Sequence, residues 1–528
     1  MYGGGVLTYF CFLQWLLLVN TCIFALVFTF VTLPQMLLPT EGDTLANMTA
    51  KSYSIYALRA LRCSRRYDLN VPDNGSVVQS MADLVQGTGW MEKTVAFYGG
   101  YTDKRVFKST ASHSYNLPLA FLLTVLAYLL LSLFLVVRKA HGITEKMILT
   151  KHTQLHIGCQ VFHLWDYGLI DATNSAIRQK NICRELQVDL AEQRRAAEMK
   201  NRTWWQAMKQ WAKRLVINLC VVALLACAGY IIYFTTVKTT EITNRSDYAS
   251  LSTFKTLLVE YMTTITITAL QMALPIVFGK LVMWEGFTYA QEVNLTLARI
   301  ATLKLGSLGM LLFSIFIQIG CTPKDACNVG TGSCPKLRCW ETVLGQEFYK
   351  LVQVDFIGSV LVVFTIEFPR KHYVTKVNNA ISRQLGLQEF DISDNILDLI
   401  YLQVLVWLGT FFAPMIPAMT IVKLILLFYL RLISVLYNFT PNTKPYRAAD
   451  TDFFILVVLM AAYVACAVPI MYVIWRMPPS TGCGPFRSYY SMYDIVNVTI
   501  AEWPAWIRII LEFLPSVYFS IPCFIVLV

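Results

Sequence analysis

Residues 117–139 read LPLAFLLTVLAYLLLSLFLVVRK, twenty-one residues without a charge closed by Arg138 and Lys139. A bilayer's hydrocarbon core is about 30 Å thick, so a helix needs about 20 consecutive apolar residues to cross it. This run meets that length. The loop that follows, residues 138–214, holds fourteen Lys/Arg against seven Asp/Glu. Basic loops stay on the cytoplasmic side of membranes, which orients the segment and, by alternation, the rest of the chain.

The 528 residues are 56% hydrophobic and 15% charged, with mean hydropathy +0.51. Soluble domains average roughly 45–50% apolar and about 25% charged residues. A soluble enzyme, a disulfide mini-domain and a disordered chain are therefore excluded. The expected fold is an all-α polytopic membrane protein, one membrane domain over 1–528 with ten spans. These lie at about 9–33, 117–137, 215–237, 256–284, 293–320, 347–368, 393–413, 416–437, 453–475 and 505–528. The first apolar run has no basic n-region and no small-residue cleavage site, so it reads as a span, not a signal peptide.

A net charge of +11 gathers in loops beside the spans, where anionic lipid attracts it, so lipid and not nucleic acid is the expected partner. Alternation places both ends in the cytoplasm and puts a long loop (38–116) and a Cys-rich loop (321–346) outside. Cys321, Cys327, Cys334 and Cys339 crowd the second of these, with Cys63 and Cys483 in two other outer loops. Disulfides fit that oxidising side; a zinc site is the rival, without the paired C-x-x-C pattern. Asn47, Asn74, Asn244 and Asn497 are glycosylation sequons in outer loops. Trp204, Met208, Trp211 and Leu215 recur at helical spacing among basic residues. They read as an amphipathic interfacial helix, as the start of span three, or as a docking helix.

Enzymatic chemistry lacks its residues. None of the six histidines falls in a predicted span, and there is no Walker loop. His152, His156, Cys159 and His163 would align on a helix, a weak metal signal against the plain reading of a cytosolic helix. No metal and no cofactor is expected. The informative residues are polar ones inside spans four to eight, because charge at bilayer depth is costly unless it faces water or a partner. Thr264, Thr268 and Gln271 follow Glu260 in a stripe ending at Pro275, which suggests a hydrated wall with a hinge, or Ser/Thr contacts between packed helices. Asp355 and Ser359 lie deep in span six. Asp355 either attracts cations or pairs with Lys304 or Lys423. Asp391, Asp394 and Asp398 form an acidic face opening span seven, or complement that helix's dipole.

The run Cys339-Trp340-Glu341-Thr342, followed by Gly345-Gln346-Glu347, closely resembles the signature of the transmembrane channel-like (TMC) family. Leu33-Pro34-Gln35, Trp165-Asp166-Tyr167, Phe390-Asp391-Ile392, Phe411-Phe412-Ala413-Pro414 and Cys483-Gly484-Pro485-Phe486 follow in that family's order. The resemblance implies ten helices in an arrangement similar to anoctamins and OSCA channels, usually as a homodimer with one pore per subunit walled by spans four to eight. Carried over, the pore positions are Met272 beside Gln271, Ser307, Asp355, Ser359 and Asp391. Sensory members are mechanically gated, calcium-permeable cation channels. They carry an acidic residue where this chain has Gly279 followed by Lys280, and asparagine where it has Ser307. A calcium- and integrin-binding protein at residues 138–214 and a single-span accessory subunit are the partners the resemblance implies. The resulting expectation is a mechanically gated, non-selective cation channel in the plasma membrane. A lipid scramblase using the same groove and a non-conducting scaffold are the rivals.

Overall fold

A computed structural model of the chain describes residues 3–38, 77–102, 114–151, 203–243, 253–320, 339–377, 390–439 and 448–504, with isolated positions between them. Nine helices among the described residues are long and apolar enough to cross a membrane, and the chain is an all-α polytopic membrane protein. The span expected at 505–528 lies outside the described residues. So do Cys321, Cys327, Cys334, His152, His156, Cys159, His163, Asn47, Asn74 and Asn244.

Helix α1 (Gly3–Val27) continues through Phe28–Thr32 to Leu37. The short α2 (Val77–Gln86) follows, and then a two-residue ribbon pairing β1 (Arg105–Val106) with β2 (Ser114–Tyr115). The remaining long helices are α3 (Leu117–Lys151), α4 (Trp204–Thr243), α5 (Thr253–Glu285), α6 (Tyr289–Gly320) and α7 (Trp340–Val362, extended to Lys376). After them come α8 (Ile392–Phe412), α9 (Ile416–Tyr437), α10 (Ala448–Arg476) and the short α11 (Asp494–Glu502). Spans four to eight of the sequence reading correspond to α5 to α9.

One boundary differs from the sequence reading, and two open points are decided. The Trp204–Leu215 stretch is not a separate interfacial helix: it is the first part of α4, because no Gly or Pro interrupts the helical run between Trp204 and Val221. Span six starts at Trp340 and not at 347, and Pro275 does not break span four, since α5 runs ten residues beyond it to Glu285. The irregular turns fall elsewhere. Wide π-turns at Phe28–Thr32 and Val363–Glu367 immediately precede Pro34 and Pro369. A proline clashes with the carbonyl four residues earlier. Here those carbonyls belong to Phe30 and Thr365, inside the widened turns, which accommodate the rings.

The bundle is organised around α8, whose membrane window is 89% buried, against 17% for α5 and 22% for α7. Its neighbours include α1, α3, α7 and α10, and polar side chains bind α1 and α3 to it. Trp407 donates its indole N–H to Ser132 Oγ (3.1 Å), Tyr128 donates to the Trp407 carbonyl (3.0 Å), and Asn20 Nδ2 donates to Gln403 Oε1 (2.9 Å). Lipid supplies no hydrophobic drive between helices, so such hydrogen bonds and close packing hold membrane bundles together.

Close approach explains one signature glycine. A Cβ on Gly345 of α7 would lie 2.6 Å from the carbonyl oxygen of Phe412 at the end of α8. Gly345→Ala is expected to push the two helices apart at a cost of about 1–3 kcal/mol, the usual range for overpacking. A lowered thermal midpoint of the detergent-solubilised protein checks this; an unchanged midpoint would mean the backbone yields freely there.

Candidate functional site

The outer end of α7 carries the signature. Cys339 forms a disulfide with Cys483 of the loop after α10, their Cα atoms 6.1 Å apart. Trp340 donates its indole N–H to the Pro478 carbonyl (3.2 Å). The buried Glu341 carboxylate accepts from the Ser480 N–H (2.8 Å) and Ser480 Oγ (2.5 Å). Gln346 Nε2 donates to the Gly87 carbonyl (2.8 Å) and to Glu92 (3.0 Å). These residues therefore fasten the outer loops to the head of α7. Gly87 and Tyr98 from before α3, Cys339 at the start of α7 and residues 478–486 after α10 meet at this end. Tyr98 is enclosed beside Phe121, Phe411 and Phe486, and burial, with Glu341 nearby, holds its phenol well above the usual tyrosine range. Cys339, Glu341 and Cys483 lie within ligand distance of one another, but the disulfide consumes both thiols, so they hold no metal. Cys63 is also disulfide-bonded, and Asn497 is exposed on α11.

Below this clasp, polar side chains face one another across α5 to α9 in successive layers. In the outermost, Lys350 of α7 is 1% exposed and places Nζ 2.7 Å from Glu260 of α5 and 3.2 Å from Glu347. Thr264 lies in the same layer, its hydroxyl 3.5 Å from Glu347. Gln271 of α5 donates to Ser307 of α6 (2.9 Å). Pro275 has no N–H, so the Gln271 main-chain carbonyl lacks its regular helical donor, adding an acceptor to this layer. Met272 is half exposed, and its methyl lies 3.4 Å from where a Cβ on Gly358 of α7 would be.

Asp355 is one turn from Gly358 and Ser359. It lies fifteen residues into α7, about 22 Å along a helix rising 1.5 Å per residue. It is paired with Lys423 of α9, and the two side chains are 32% and 4% exposed. Lys423 also points at the Val352 carbonyl (3.4 Å). Lys304, the other lysine available to Asp355, is instead paired with Asp398 of α8 and sits 5.3 Å from the Tyr401 ring. At the inner end Arg431 of α9 bonds Glu367 (2.9 Å), which Ser434 also contacts. Arg299 of α6 bonds the fully buried Glu285 at the end of α5 (2.6 Å).

The structure thus brings together Thr264 with Glu347, Gln271 with Ser307, and Asp355 with Lys423, and sets Met272 against Gly358. Thr268 and Ser359 donate to carbonyls of their own helices. Asp391 caps α8: its Oδ1 accepts from the Ser393 N–H (3.1 Å) and the Asp394 N–H (3.5 Å), as N-cap aspartates do. Its place in the structure is that of a helix cap rather than of a groove wall. Sequence reasoning missed Lys350, Arg431 and the Glu285–Arg299 pair. Lys350 stands three residues after Glu347, a spacing that faces both onto one helix side, and Arg431 interrupts an apolar run. Each was a visible signal.

The sequence of this chain is matched in known proteins. A TMC domain is recognised over residues 339–449, which includes Cys339 to Gln346 of the clasp and α7 to α9. Over 540 residues the chain is 32% identical to the mouse (Mus musculus) voltage-gated chloride channel TMC4, covering 99% of this chain and 73% of that protein. The human (Homo sapiens) protein of the same name is 32% identical over 531 residues, 99% and 71% of the two chains. Human transmembrane channel-like protein 8 is 30% identical over 536 residues, 100% and 70% respectively. With residue identity of this degree along its whole length, the chain is a member of the transmembrane channel-like family.

Proposed function

We propose that this chain is an ion channel subunit of the plasma membrane, conducting along the groove between α5, α7 and α9 with α6 and α8 behind it. The observation that carries this reading is the Asp355–Lys423 pair. An ion pair far from either helix end, with its carboxylate a third exposed, sits where charge is rare and marks an ion or substrate path.

The expectation of cation conduction came from the family resemblance, with Asp355 as the residue that would attract cations unless it paired with a lysine. With Lys423 beside it, the middle of the route is charge-balanced. The outer layer has two carboxylates for one lysine, while further in Lys304 is paired with Asp398 and Arg431 with Glu367. A centre whose charges are paired discriminates weakly by sign, so the channel passes chloride as well as cations. The chloride activity in the name of its TMC4 relatives supports this. Tension gating comes from the family resemblance and voltage gating from the TMC4 name.

Patch recording from liposomes containing the purified protein, under voltage steps and graded suction with a parallel lipid-flipping assay, tests the reading. The expected outcome is a current evoked by one of the two stimuli and no flipping. Flipping without current would replace the channel by a scramblase; neither activity from folded protein would favour a scaffold.

A further inference from the structure

Helix α2 combines two features that the conduction route does not use. Its last carbonyls, which have no partners within a helix, are taken by the groove helices. Tyr261 of α5 donates to the Val85 carbonyl (2.7 Å), Tyr349 of α7 to that of Leu84 (3.1 Å), and Gln346 of α7 to that of Gly87 just beyond (2.8 Å). Its opposite feature is a bare apolar face. Val77, Val78, Met81, Leu84 and Val85 are 81%, 67%, 62%, 41% and 45% exposed, and at 100° per residue they share one side of the helix. Asp83, the one charged residue of α2, lies opposite and is held near Thr88 (3.5 Å).

The depth of this face identifies what covers it. Tyr261 and Tyr349 lie eight and nine residues into their helices, about 12–13 Å from the outer ends. Helix α5, at 33 residues, is about 50 Å long and overreaches a 30 Å hydrocarbon core by about 10 Å at each side. The end of α2 therefore lies at the boundary between headgroups and acyl chains. Leu258 and Ile265 of α5, on either side of Tyr261 in sequence, are themselves exposed and continue the apolar face towards the bilayer. Trp90, 40% exposed with its indole N–H on the Ser80 carbonyl (3.4 Å), stands beside it, as tryptophans do at membrane interfaces.

We infer that α2 is an outer-leaflet lipid contact, its Val77/Val78/Met81/Leu84/Val85 face seated on acyl chains and tied by three hydrogen bonds to the outer parts of α5 and α7. The helix lacks lysine and arginine, so acyl chains and not anionic headgroups hold it. Changes in outer-leaflet packing then act directly on two helices of the groove. The inference rests on the membrane reading of the chain and not on conduction, and its readout is chemical, so it stands or falls separately.

The test is p-benzoylphenylalanine incorporated at position 81 or 85 of the full chain in phosphatidylcholine nanodiscs, with photolysis and mass spectrometry. A probe at Leu130, exposed on α3, serves as the lipid-facing control. Phosphatidylcholine adducts are expected at 81 and 85 without any anionic lipid. Their yield should fall when Tyr261→Phe and Tyr349→Phe are combined, because α2 loses two of its ties. Adducts at 130 but not at 81 or 85, or crosslinks at 81 and 85 to a second copy of the chain, would overturn the proposal.

Discussion

Lys350→Met is expected to destabilise the protein by about 3–5 kcal/mol, the usual cost of removing one partner from a buried ion pair. Lys350 is 1% exposed, with Glu260 and Glu347 only 13% and 10% exposed around it. Its ammonium also meets the Glu260 carbonyl (3.1 Å) and lies 5.9 Å from the Tyr261 ring. Without it, two carboxylates face each other between α5 and α7 with no cation, and the Thr264 hydroxyl cannot neutralise them. The measurement is the thermal midpoint and monodisperse fraction of purified protein. The triple variant Glu260→Gln, Glu347→Gln, Lys350→Met should recover most of the loss, since neutral partners of similar shape remove the unpaired charge. A triple variant as unstable as the single one would show that shape rather than charge matters at this layer.

Removal of the Cys339–Cys483 disulfide is expected to cost about 2–4 kcal/mol. The bond closes a stretch of 144 residues, and longer loops lose more chain entropy when crosslinked. In the folded protein the same junction holds Ser480 on Glu341 and Pro478 on Trp340. Cys339→Ala with Cys483→Ala should therefore loosen the head of α7 as well as lower the thermal midpoint. Faster protease cleavage after Arg476 or Arg487 in the non-reduced variant than in the wild type is the local readout. Equal cleavage and equal midpoints would show that the hydrogen bonds alone hold the clasp.

The nine long apolar helices among the described residues were legible because hydropathy responds to the same bilayer thickness that sets helix length. Helix ends were less so. Trp204–Leu215 carries both an amphipathic pattern and an unbroken helical run, and only the connection to the rest of α4 decides between them. Pro275 and Pro369 look alike in sequence, yet a π-turn precedes one and not the other. The polar residues of the groove were visible as costly exceptions in apolar runs, but their pairings were not. Asp355 had two lysines within range, and its choice of Lys423 depends on how α7, α8 and α9 pack. Lys304 goes to Asp398 for the same reason. The signature around Cys339 was recognisable as a string, whereas its work of joining distant outer loops appears only when Cys483, Ser480 and Gly87 are brought beside it.

The central claim, that the Asp355–Lys423 pair lies on the conduction route and balances its charge, is tested most directly by reversal potentials in a potassium chloride gradient across liposome patches. Wild type, Asp355→Asn and Lys423→Met would be compared, with the exchange Asp355→Lys/Lys423→Asp as a folded control that keeps both charges. The account predicts opposite displacements: toward the chloride equilibrium potential when Lys423 is left alone, toward that of potassium when Asp355 is left alone, and little change for the exchange. Currents that persist in all four proteins with one common reversal potential would contradict it and place the ion path elsewhere.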